Sequence, residues 1–253
     1  MHNAAFRAHG LSHVYLACHV APAELAEAVS GLHALGGLGA NVTIPHKETV
    51  CALAEELAPE VRATGAANTL VRMDTGWRAH NTDIAGFLAP LEGEDLRGLD
   101  ATVLGAGGAA RAVVYALLST FSPSRVTLAS RRPAQAEALA VALSEHDTRG
   151  ALAVCALPDA PPARLVVNAT PLGMHGMEDL SPLPHAALGP GQIAYDLVYR
   201  PARTRFLREA QANGAQPIGG LPMLVGQAAQ SYHLWTGRTM PTEIARREAL
   251  AHL

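Results

Sequence analysis

The stretch VLGAGGAARAVVYAL, residues 103–117, constrains the fold more than any other part of the chain. It runs from an apolar, β-branched segment through a glycine-rich turn into an alanine-rich segment, and it sets Gly105, Gly107 and Ala110 in the G-x-G-x-x-[G/A] spacing. Between a strand and a helix, the first small residue makes the tight turn. The second lets a pyrophosphate approach the backbone, and the third allows close packing of helix on strand. Amide groups at the helix start then face the phosphates. A purely steric glycine turn is the alternative, but the strand-turn-helix context points to a dinucleotide.

The same texture continues on both sides of that turn. The runs ATVLG, RVTLAS, ALAVCAL, RLVVNAT and QIAYDLVY read as apolar strands, with RAVVYALLSTF and AQAEALAVAL as helices between the early ones. Continuous apolar strands alternating with helices predict a parallel sheet covered on both faces. Before Ala101 the pattern differs. It predicts helix HNAAFRA, strand HVYLACHV, helix PAELAEAVSGLHAL, strand GANVTI and helix KETVCALAEEL, then two β-prone runs, ANTLVRM and WRAHN, joined at Asp74-Thr75-Gly76. After QPIGG two helical runs, LPMLVGQAAQSYHLWTG and PTEIARREALAHL, are expected to return to the first domain. The predicted class is therefore α/β with two domains. Residues 1–82 and 221–253 form an α/β substrate-binding domain, and residues 83–220 a Rossmann-like domain with a parallel sheet.

About 20 residues beyond the glycine turn, where an acid usually holds the ribose hydroxyls of NAD, the second strand ends in Ser130-Arg131-Arg132. A hydroxyl and two guanidinium groups suit a 2′-phosphate through charge-assisted hydrogen bonds, so the predicted cofactor is NADP. A solvated basic turn is the bland alternative, yet the helix macrodipole disfavours cations at a helix start unless an anion is bound.

Composition narrows the partners. The chain has 253 residues, 49% of them hydrophobic, and a formal charge of −3, which gives no basic footprint for nucleic acid or anionic membrane. A small-molecule substrate is the default, with the chain acting as monomer or homodimer. Three widely separated cysteines suit reduced thiols better than a disulfide framework. The 12 histidines form no H-E-x-x-H spacing, and no metal is implied. The amino terminus lacks a secretory apolar core, so a cytoplasmic location is expected.

NVTIPHK, residues 41–47, raises the catalytic question. Asn41 and Thr43 share a face if the run is a strand, and Pro45 ends the pairing just before Lys47. The segment either lines a pocket or presents an exposed lysine at a helix start.

Together NVTIPHK, AANTL, NTD, GAGGAAR, NATPLGM, YDLVY and GGLPMLVGQAA occur in an order that resembles the shikimate dehydrogenase family from His2 nearly to the end. The resemblance implies NADP-linked hydride exchange between shikimate and 3-dehydroshikimate in the shikimate pathway, at a cleft between two α/β domains. It makes Lys47 and Asp83 the catalytic pair and puts Asn41, Thr43, Asn68, Tyr199 and Gln227 at substrate-binding positions. Gly107, Gly108, Ala109, Arg131 and Thr170 match cofactor positions, beside Gly105, Ser130 and Arg132 already named, while Gly220 and Met223 are similar to residues beside the nicotinamide. Chemistry agrees, because oxidising a secondary alcohol requires one positioned group that takes the hydroxyl proton and returns it in reverse. Which of the two is the formal base stays open. Asp83 also suits an N-cap to IAGFLAPL.

The resemblance has gaps. Family members usually open with a strand and G-x-P-I-x-H-S-x-S-P, whereas this sequence begins Met1-His2-Asn3, and Ile84 stands where glycine is common. The missing segment predicts an exposed sheet edge and a weaker carboxylate site, from either an internal start or a shorter natural chain. Quinate or aminoshikimate dehydrogenase is the neighbouring enzymatic reading, and a weakened NADP-binding homologue is the competitor from another class.

Overall fold

A computed structural model describes residues 1–183 and 188–252. Two compact units emerge, one of residues 1–86 with 225–252 and the other of residues 87–224.

The first unit contains α1 (His2–Ala8), α2 (Leu25–Ala34), β1 (Gly39–Asn41), β2 (Glu56–Leu57), α3 (Pro59–Thr64), β3 (Thr69–Met73) and β4 (Gly76–His80). Its sheet has the order β1-β3-β4-β2, with β1 an edge strand. The β3–β4 hairpin closes through Asp74 and Thr75, with Gly76 at φ 117°, a left-handed value open to glycine at little cost. Leu25, Val29, Val50, Val61, Leu70 and Trp77 pack into one core, and the Trp77 indole donates to the Val29 carbonyl at 3.1 Å.

Two expected elements of this unit do not form. HVYLACHV alternates as a strand should, yet residues 11–21 hold no regular structure. The amide of the Asn3 side chain takes both backbone groups of Tyr15, donating to its carbonyl at 2.9 Å and accepting its N–H at 2.7 Å, as a neighbouring strand would. KETVCALAEEL was expected as a helix. Only a 3₁₀ turn, Thr49–Leu53, forms, and Ala54 turns extended so that Glu55 can accept the Trp77 N–H at 2.6 Å and β2 can pair with β4. GANVTI is also shortened, because β1 ends at Asn41 and leaves exposed Thr43 outside the strand.

The second unit takes over within α4 (Asp83–Leu88) and continues as β5 (Asp100–Leu104), α5 (Gly108–Phe121), β6 (Arg125–Ser130), α6 (Pro133–Ala142), β7 (Leu152–Ala156), β8 (Leu165–Asn168), β9 (Ile193–Asp196), α7 (Arg205–Ala212) and β10 (Gln216–Ile218). All pairings are parallel, in the order β10-β9-β8-β5-β6-β7. Counted within the unit this is the dinucleotide-binding order, with its switch point between β5 and β8. Its inner strands β8 and β9 are buried along their whole length, as a sheet covered on both faces requires.

Within α8 (Gly220–Thr236) the chain re-enters the first unit, and it ends with α9 (Thr242–Leu250). There Ala228, Tyr232, Met240 and Ala245 close on Ala5 and Phe6 of α1. No helix among the described residues is long and apolar enough to cross a membrane.

Candidate active site

In the first unit, two backbone bonds fold the NVTIPHK segment over the start of β3. Val42 N–H donates to the Asn68 carbonyl at 2.8 Å and Ala67 N–H donates to the Lys47 carbonyl at 2.8 Å, which brings Lys47 beside Asn68. Lys47 Nζ then donates to Asp83 Oδ2 at 2.6 Å, and Asn68 Nδ2 donates to Asp83 Oδ1 at 2.8 Å. Both members of the ion pair keep some solvent contact, 18% for the lysine side chain and 10% for the aspartate. The ammonium has three N–H donors, and the carboxylate takes one; the others can serve an approaching hydroxyl or carbonyl oxygen.

Asp83 is the first residue of α4, and its carboxylate serves Lys47 and Asn68. The helix thus begins one residue earlier than an N-cap at Asp83 would place it, and the side chain has a partner 36 residues away in sequence.

Asn41 is placed differently from the other polar residues. Its Nδ2 donates to Ser231 Oγ at 3.0 Å, Thr69 Oγ1 at 3.1 Å and the Asn68 carbonyl at 3.3 Å, while its Oδ1 accepts from the Tyr15 hydroxyl at 3.0 Å. Both ends of the amide serve the protein interior. Gln227, part-buried in α8, accepts at its carbonyl from Ser231 Oγ at 3.0 Å. Sequence reasoning gave no role to Ser231 or Thr82. Small polar residues beside apolar runs were the available signal, and it is faint.

In the second unit, the residues expected at a cofactor gather at the carboxyl ends of the parallel strands. Gly105 follows β5 with φ at 114°, and a Cβ there would stand 3.0 Å from the Ala169 carbonyl oxygen. Around Gly107, by contrast, a Cβ would meet no protein atom within 4 Å, so the backbone lies open to a ligand. Helix α5 begins at Gly108 and Ala109 with no side-chain cap, and Ala110 is fully buried against the sheet. The orphan amides of its first turn therefore remain available. Ser130 ends β6 and accepts the Arg132 N–H at 3.1 Å. Arg131 and Arg132 are exposed, face no acid within ion-pair distance among the described residues, and precede α6, which likewise lacks a side-chain cap. This arrangement fits a dinucleotide bearing an extra phosphate on its ribose.

Thr170 sits just past β8, its hydroxyl donating to Asn168 Oδ1 at 2.6 Å. Asn168 Nδ2 donates in turn to the Leu172 carbonyl at 3.1 Å and to Asp196 Oδ1 at 2.9 Å. Asp196, wholly buried at the end of β9, also accepts from Val198 N–H at 3.0 Å and from the Thr204 hydroxyl at 2.5 Å. Burial pushes its carboxyl up to about 6 against the pull of these three donors. Tyr199 lies three residues beyond β9, 43% exposed. Gly220 opens α8 where a Cβ would come within 2.5 Å of the Leu197 carbonyl oxygen, so its smallness serves backbone packing, and Met223 is buried one turn later.

Two family models match the chain, the shikimate dehydrogenase substrate binding domain over residues 1–70 and the shikimate 5′-dehydrogenase C-terminal domain over residues 220–250. A shikimate dehydrogenase (NADP(+)) of Salinibacter ruber is 53% identical over 252 residues, covering 95% of this chain and 88% of that relative. The chain belongs to the shikimate dehydrogenase family. Within that family, the crystal structure of the Thermus thermophilus shikimate 5-dehydrogenase in complex with NADP(H) and shikimate superposes with a TM-score of 0.89. It is 35% identical over 100% of this chain and 93% of its own. A quinate dehydrogenase from Corynebacterium glutamicum in complex with NAD superposes at 0.88 with 29% identity, over 100% of this chain and 93% of its own.

Proposed function

We propose that this member of the family interconverts shikimate and 3-dehydroshikimate with NADP, using Lys47 and Asp83 as its acid–base pair. The observation that carries the reading is the 2.6 Å contact between Lys47 Nζ and Asp83 Oδ2, with the other carboxylate oxygen anchored on Asn68. When bound, NADP⁺ supplies the acceptor for the hydride that leaves the carbinol carbon. Lys47 Nζ receives the hydroxyl proton as that carbon–hydrogen bond breaks, and in reduction it returns a proton to the carbonyl oxygen. Asp83 orients the amine, so the lysine presents a donor to the oxygen on which negative charge develops. Asn68, Gln227 and Thr43 offer amides and a hydroxyl to the ring hydroxyls; a site built from such groups rejects analogues that lack a hydroxyl. Asn41 works from behind, through the groups it holds.

For the cofactor, Gly105, Gly107, Gly108 and Ala109 hold the pyrophosphate and Ser130, Arg131 and Arg132 the 2′-phosphate. Replacing Arg131 and Arg132 together with alanine is expected to raise the KM for NADP⁺ by roughly tenfold or more, the scale of one or two hydrogen bonds to a charged group, and to leave that for NAD⁺ unchanged. Equal effects on both cofactors would show that the arginines do not read the phosphate.

Steady-state formation of NADPH from shikimate tests the function itself, with quinate and NAD⁺ as the alternatives. Turnover of quinate in preference to shikimate would reassign the substrate, and no turnover of either would remove the enzymatic reading.

A further inference from the structure

Behind the acid–base pair lies a cluster of three buried hydroxyls drawn from three elements. Thr69 of β3 and Ser231 of α8 are fully buried, and Thr82, just before α4, is 2% exposed. Thr69 Oγ1 lies 2.9 Å from Ser231 Oγ and 3.2 Å from Thr82 Oγ1, and Ser231 Oγ lies 3.1 Å from Thr82 Oγ1.

The backbone fixes one proton in this cluster, and the hydroxyls share the rest. Thr82 backbone N–H, which can only donate, points at Asn68 Oδ1 from 2.7 Å. The Thr69 and Thr82 hydroxyls carry one proton each and lie 3.1 Å from that oxygen and 2.9 and 3.1 Å from Ser231 Oγ, so one can donate to Asn68 while the other donates to Ser231. Ser231 donates to the Gln227 carbonyl and so acts as acceptor for the Asn41 amide. The backbone N–H and a threonine hydroxyl therefore converge on Asn68 Oδ1, which fixes that amide in one orientation and aims Nδ2 at Asp83 Oδ1. Flipping the amide would set its N–H groups against a backbone N–H and its oxygen against a carboxylate, leaving buried polar groups unpaired.

We propose that Thr69 and Ser231 are positioning residues for the reaction, acting through the Asn68 amide to hold the Asp83 carboxylate aimed at Lys47. This rests on the catalytic reading of Lys47 and Asp83 but adds residues that touch neither of them.

The test compares Thr69→Val and Ser231→Ala with the wild-type enzyme. Each is expected to lower kcat with shikimate about fivefold to tenfold, the scale of one lost buried hydrogen bond, while the KM for NADP⁺ stays put. Thr69→Ser, which restores the hydroxyl, is expected to recover most of the loss. In an Asp83→Asn background the same substitutions should cause little further loss, because the group they position has already been changed. An undiminished kcat, or an equal loss in both backgrounds, overturns the proposal. Lys47 acylation by acetic anhydride, followed by mass spectrometry, reads the pair without turnover: a loosened pair reacts faster in Thr69→Val than in wild type, and equal rates count against the proposal. That measurement separates failure of the positioning role from failure of the substrate assignment, which would show as an inactive wild-type enzyme. Should Thr69→Val fail to fold, Ser231→Ala carries the same comparisons.

Discussion

Lys47→Ala is expected to cut turnover with shikimate by roughly 10²- to 10⁴-fold, the usual contribution of a positioned general acid–base group. In this reading alanine removes the group that exchanges a proton with the substrate oxygen, and it leaves the Asp83 carboxylate with Asn68 as a hydrogen-bonding neighbour. The glycine turn and the two arginines belong to the other unit. The KM for NADP⁺ should accordingly move by no more than about twofold, which separates a lost proton transfer from lost cofactor binding. Lys47→Arg should not rescue, because a guanidinium holds its proton at every working pH. A Lys47→Ala enzyme with wild-type turnover would dismiss the catalytic assignment.

Asp196 governs the second large effect, this time on stability. Replacement by alanine orphans three buried donors, Asn168 Nδ2, Val198 N–H and the Thr204 hydroxyl, and should destabilise the second unit by roughly 2–4 kcal/mol. Asp196→Asn is expected to cost much less. Its Oδ1 can still accept from Asn168 and Val198, and its amide can donate to the Thr204 oxygen. The two variants also differ in pH dependence. The folded carboxyl titrates near 6, above its ordinary 3.8, so the folded state binds the proton more tightly than the unfolded chain does. Its contribution to stability is therefore complete below about pH 4 and is lost as pH rises through about 6. Denaturant unfolding of wild type against Asp196→Asn across that window should show the difference, since the amide does not titrate. A gap between the two that stays constant from about pH 4 to 7 would contradict the raised carboxyl.

What the sequence made legible follows from what each element depends on. The parallel sheet was readable because most of its strands are runs of apolar, often β-branched residues and its glycine turn has steric requirements that can be stated in advance. β10 escaped because Gln216-Pro217-Ile218 carries two exposed residues and a proline, tolerable only on the sheet edge where it lies. α7 escaped although Phe206, Leu207 and Ala210 sit on one face and Thr204 caps it, accepting the Leu207 N–H at 3.3 Å. In the first unit, local pattern misled at HVYLACHV because a strand needs a partner as well as alternation, and here a single asparagine side chain stands in for one. Lys47, Asp83 and Asn68 were legible through a family resemblance. Thr69, Thr82 and Ser231 were not, since three ordinary hydroxyl residues reveal a common purpose only once folding has buried them together.

The discontinuity of the first unit has a consequence for biosynthesis. Residues 87–224 are contiguous and can complete their fold as they leave the ribosome, whereas Ala5 and Phe6 must wait for Tyr232 and Met240 to emerge before their cluster is filled. A translation complex arrested with residue 224 clear of the exit tunnel and Tyr232 still inside it is expected to shield the dinucleotide-binding half from protease while the segment made before it stays cleavable. The unit begun before the dinucleotide-binding half is thus finished after it.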